Sequence, residues 1–104
     1  MEKIKARELL INYRAQLTGA DIVLDDGRDE GDAVQNRAFA AAGRKMDAII
    51  QRIASVDVDG IDCDAVWLDA WTCADGSRMR GTHLPEAKYA HAVNYVDALL
   101  SMLQ

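Results

Sequence analysis

The sequence predicts a mainly α-helical α+β fold: a three-helix core with a small β-hairpin between helices 2 and 3. Three observations predict it. Apolar residues recur at helical spacing within residues 2–17, 33–55 and 85–103. Residues 66–73 are instead rich in Val, Trp, Thr and Cys, which favour strands. The chain has 104 residues, half of them apolar but 17 of those Ala, which supports one domain, 1–104, rather than two.

In the first helix Leu10, Tyr13 and Leu17 make the apolar stripe, widened by Ile4 and Leu9. Lys3, Lys5, Arg7 and Arg14 take the outer face, and Thr18-Gly19 supplies a stop. Residues 20–32 then read as a solvated loop, because two glycines and the acids around them cannot form a core. Asp32 suits the N-cap of the second helix, whose stripe runs Phe39, Ala42, Met46, Ile49, Ile50 and Ile53. The run Ala40-Ala41-Ala42-Gly43 keeps that helix thin enough for close approach of a neighbour. Residues 57–64 alternate acid with apolar residues or Gly, and an Asp75-Gly76 turn followed by Ser77–His83 favours a hairpin. On a strand Trp67 and Trp71 share a face, so both are buried or both are presented. Pro85 and Glu86 suit the start of the third helix, with Tyr89, Ala92, Val93, Val96, Leu99, Leu100 and Leu103 inward.

The net charge of −5 disfavours direct nucleic-acid binding and attachment to an anionic membrane surface. No apolar run is long enough to span a bilayer, and the N-terminus lacks a secretory h-region. Two cysteines are too few for a disulfide scaffold and point to a reducing, cytoplasmic compartment.

Acid is segregated along the chain. Residues 21–32 carry six acids and one base, and residues 57–76 carry six Asp and no base, whereas the other segments are net basic. Turn-forming Asp explains much of this pattern. A sharper reading joins the two acidic segments into one negative patch, with Asp25, Asp26, Asp29, Glu30, Asp57, Asp59, Asp62 and Asp64 facing a basic partner protein. Neither segment fits a calcium loop: with Asp57 first, Gly60 falls at position 4 and Leu68 at position 12. Arg78 and Arg80 form the one basic pair beside a turn. They either pair with Asp64 or Asp69 or contribute to an interface.

Cys63, Cys73, His83 and His91 are every Cys and His in the chain, and zinc takes such ligands. Their spacing, C-x9-C-x9-H-x7-H, lacks the close cysteine pair of a zinc knuckle, so no cofactor is expected and the metal module stays the alternative. No nucleophile signature surrounds either Cys, and Gly76–Gly81 lacks the context of a phosphate loop. In size, acidity and want of a catalytic signature the chain resembles small accessory proteins of phages and mobile elements, among them inhibitors of host defence. The expectation is a non-enzymatic protein that occupies a surface of a partner, a nucleic-acid-handling protein being one case. The sequence sets no oligomeric state.

Overall fold

A computed structural model describes residues 1–28, 33–72, 77–79 and 85–103, leaving aside the side chains of 23–28, 33–39, 85 and 86. Four helices follow in order: α1 (Lys3–Arg28), α2 (Ala33–Ala54), α3 (Cys63–Asp69) and α4 (Pro85–Met102). The helical core of α1, α2 and α4 agrees with expectation; the hairpin does not.

The core residues explain the packing. On α1 the buried positions are Ala6, Leu10, Leu17 and Ala20, with Tyr13 partly buried between them. On α2 they are Ala42, Met46, Ile49 and Ile53, and on α4 Ala92, Val96 and Leu99, extended by Tyr89 and Leu103. Every row steps alternately by three and four residues. That is the heptad seam by which helices pack side by side with interlocking side chains. α1 packs on both α2 and α4, and α3 packs on α4. The N-terminal amine meets the Asp59 carboxylate at 3.0 Å, and the Asp59 amide donates to the Met1 carbonyl at 3.1 Å. The start of α1 therefore adjoins the segment that leaves α2, so these two helices are antiparallel. Arg14 ties α1 to α4 through both carboxylate oxygens of Asp97, at 2.7 and 3.3 Å.

Three expectations are corrected. α1 does not stop at Thr18-Gly19: it continues to Arg28, so residues 20–28 are helix rather than loop. The Thr18 hydroxyl donates to the Arg14 carbonyl within the helix, at 3.1 Å. Gly60 is the one described glycine with positive φ, so Gly19 does not act as a left-handed cap. Leu17 and Ala20 carry the core seam past that point. Second, Ile4 faces solvent, and Leu9 is only half-buried.

Third, residues 63–69 are helical, and among the described residues there is no strand. An isolated antiparallel bridge joins Thr72 to Arg78, with the Met79 amide donating to the Trp71 carbonyl at 2.8 Å. The helix wins because Asp62 is an N-cap: its side chain accepts from the Ala65 amide at 3.2 Å. The i, i+4 placement also lets Trp67 and Trp71 engage one ring on α4, a tertiary contact worth more than a weak strand preference. The alternation in 56–59 is real, since Val56 and Val58 are buried while Asp57 and Asp59 are exposed, but it belongs to an extended connection.

Candidate functional site

α3 is short and, among the described elements, it packs on α4, so what fixes it there decides which of its residues are presented. A helix end leaves carbonyls without intrahelical partners. Here every carbonyl from Val66 to Trp71 is met. The Ala70 amide reaches Val66, the Trp71 amide reaches Leu68, the Thr72 amide reaches Asp69, and the Met79 amide reaches Trp71. The remaining two are met by α4 side chains one turn apart. His91 Nε2 lies 2.8 Å from the Trp67 carbonyl, and Asn94 Nδ2 donates to the Ala70 carbonyl at 3.3 Å. A carbonyl only accepts, so His91 carries its proton on Nε2.

The same imidazole is enclosed by indoles. Trp71 stacks on it with ring centres 3.6 Å apart and planes 6° from parallel. Trp67 meets it edge-on at 4.3 Å, and also meets Tyr95 edge-on at 4.9 Å. His91 is 1 % exposed. Burial pushes its pKa below the ordinary value, with the Trp67 carbonyl acting in the opposite sense. Tyr95 is buried one turn further on; burial raises its pKa, reinforced by the neighbouring Cys63 thiol. Both tryptophans are half-buried, as their shared contact with His91 requires.

This clamp orients the rest of α3. Val66 and Ala70 face inward, and Asp64, Ala65, Leu68, Asp69 and Thr72 are exposed on the opposite side. Leu68 is 58 % exposed, a large aliphatic side chain with the exposed Asp64 one turn before it and the exposed Asp69 beside it. Open clefts flank the α3–α4 contact. One, of about 360 Å³, is walled by Trp67, Trp71 and Ile50, with the Lys88–Asp47 ion pair (3.4 Å) at its rim. The other, of about 340 Å³, lies by Val66, Asn94 and Met102.

The expected site residues are distributed unevenly. Asp57, Asp59, Asp62 and Asp64 are exposed around the entry to α3, although Asp59 holds the N-terminus and Asp62 caps the helix. Asp25 and Asp26 lie in the last turn of α1, 22 residues or more along the helix from Lys3, which is about 33 Å at 1.5 Å per residue. Asp25 and Asp26 therefore stand at the other end of α1 from the carboxylates around the entry to α3. Asp29, Glu30, Asp32 and Arg80 lie outside the described residues, as do Cys73 and His83. Arg78 is exposed, and no ion pair joins it to Asp64 or Asp69. Of the four Cys/His positions, Cys63 lies against Tyr95 and His91 against the Trp67 carbonyl. Among the described residues no three His, Cys, Asp or Glu side chains are placed to share a metal ion, and no helix is long and apolar enough to cross a membrane.

Sequence reasoning missed Leu68 and Asn94 as site residues. The readable signals were Asp62 three residues before Ala65, and His91 and Asn94 three apart on one helix face. No protein family, curated protein or solved structure matches the chain.

Proposed function

We propose that this chain is a non-enzymatic binding protein that occupies a surface of a partner protein through the outer face of α3. The observation that carries the reading is Leu68, more than half exposed between Asp64 and Asp69 on a helix capped at one end by Asp62 and at the other by His91 and Asn94. An apolar anchor on a pre-ordered support loses little conformational entropy on binding. Residues 57–69 carry five Asp and no Lys or Arg, so the complementary partner offers an apolar pocket ringed by basic side chains. Where that basic groove ordinarily meets phosphate, the carboxylates compete with nucleic acid, and the chain acts as an inhibitor of the phage-accessory kind.

The test begins by capturing the partner from the source cell and purifying it. Leu68→Asp, which alters no core contact, should keep the parent's melting temperature and weaken binding at least about tenfold through a faster off-rate. Asp64→Asn with Asp69→Asn should slow association at low salt and leave the high-salt rate unchanged. Parental binding by the Leu68 variant would remove α3 from the interface.

A further inference from the structure

We infer that α1 also pairs two copies of this chain, antiparallel, through a second apolar seam on its outer face. This inference is independent of the α3 reading. Among the large hydrophobic side chains that the fold leaves exposed, all three isoleucines are on α1: Ile4 at 77 %, Ile11 at 46 % and Ile22 at 57 %. With exposed Ala15 and Thr18 they occupy positions 4, 11, 15, 18 and 22. Positions 4, 11 and 18 step by seven, as do 8, 15 and 22, so they form an interleaved heptad seam whose one charged member is the exposed Glu8. At about 100° per residue this seam lies nearly opposite the buried row Ala6, Leu10, Leu17, Ala20. α1 is thus apolar on two faces, and its own fold covers one. A row of aligned isoleucines in water marks an interface rather than scattered surface residues.

Charge along α1 specifies the occupant and its direction. The first half carries Lys3, Lys5, Arg7 and Arg14 against Glu8, and the second half Asp21, Asp25 and Asp26 against Arg28. Two such helices repel when parallel and attract when antiparallel, and their dipoles agree with the second arrangement. A two-fold axis near residue 13 sets Ile4 against Ile22 of the second copy and Ile11 against its Ala15, large against small. Arg7 then flanks Asp21 of the second copy. Arg14 lies closest to the axis, where its like-charged mate would be unfavourable. Its guanidinium is already held by Asp97 in its own chain at 2.7 Å, which offsets that repulsion. A short seam of this kind gives a modest affinity, in the micromolar range or weaker.

Sedimentation equilibrium of the full chain from low micromolar to near-millimolar concentration tests the inference. The expected result is a reversible monomer–dimer equilibrium. Ile11→Asp should weaken it at least about tenfold, with circular dichroism and melting temperature unchanged because the side chain lies outside the core. Orientation is read from charge reversal: Arg7→Asp weakens the dimer, and adding Asp21→Arg to it restores association. In a parallel pair position 7 meets position 7, and the second reversal rescues nothing. A chain that stays monomeric throughout overturns the inference. So does a dimer indifferent to Ile11→Asp, while a dimer without charge rescue overturns the antiparallel arrangement.

Discussion

A Cβ added at Gly43 in α2 or at Gly19 in α1 would meet no atom within 4 Å. Close helix approach therefore does not require Gly43, contrary to what its run of small neighbours suggests. Each Gly→Ala change should raise stability by about 0.5–1 kcal/mol, because alanine loses less backbone entropy in a helix. Gly60 is different: its φ of 81° is one that L residues rarely adopt, and Gly60→Ala should cost about 1 kcal/mol. Thermal melts of the three variants measure all of this. His91 supplies a pH dependence. Its pKa in the fold lies below that of the unfolded chain, so the unfolded chain binds more protons as pH falls. Its contribution is present in full above about pH 6.5 and is lost below that value, through the window between the two pKa values. Urea midpoints taken from about pH 8 to about pH 5 should therefore fall. His91→Gln keeps a donor but has no titration, and should flatten that part of the profile. His91 stood out in the sequence only as one of four Cys/His residues. Its actual partner is a backbone carbonyl 24 positions away, a relation that no local spacing encodes.

Among the elements, α2 and α4 were legible because the apolar row stays in step from Ala42 to Ile53 in the one and from Tyr89 to Leu103 in the other. α1 was legible only as far as Leu17. Thr and Gly are weak stop signals, and the heptad continuing through Ala20 overrides them. α3 was misread because Val, Trp, Thr and Cys favour strands, whereas its helix depends on an N-cap and on α4. That dependence gives a local prediction. Asp62→Ala removes the bond to the Ala65 amide and should cost about 1 kcal/mol. The effect should be confined: hydrogen exchange of the amides between Val66 and Ala70 should speed up while α1 and α2 keep their protection. Equal acceleration in every helix would mean that α3 is part of the global folding unit rather than a separately anchored element.

The molecule is 48 Å in its longest dimension, and Asp25 and Asp26 stand at the other end of α1 from the acidic 57–64 segment. The sequence displays their composition but not their separation, because the separation follows from α1 continuing past Gly19. Neutralising Asp25, Asp26, Asp29 and Glu30 together acts near the C-terminal end of α1, where the helix dipole already disfavours negative charge. The melting temperature should hold or rise slightly. Neutralising Asp57, Asp59, Asp62 and Asp64 removes the N-terminal ion pair and changes the α3 cap from a carboxylate to an amide, so the melting temperature should fall. Binding should divide in the same way. Asp25 and Asp26 lie about 33 Å along α1 from its start, beside which the 57–64 segment runs, so neutralising the far set should leave the on-rate of a partner that docks on α3 unchanged. The near set should lower that rate in a salt-dependent manner. On-rates of the two quadruple variants, measured at low and high salt beside their melting curves, decide the matter. If the far set slows association as much as the near one, the partner spans the whole length of the molecule, and α3 is only one end of its footprint.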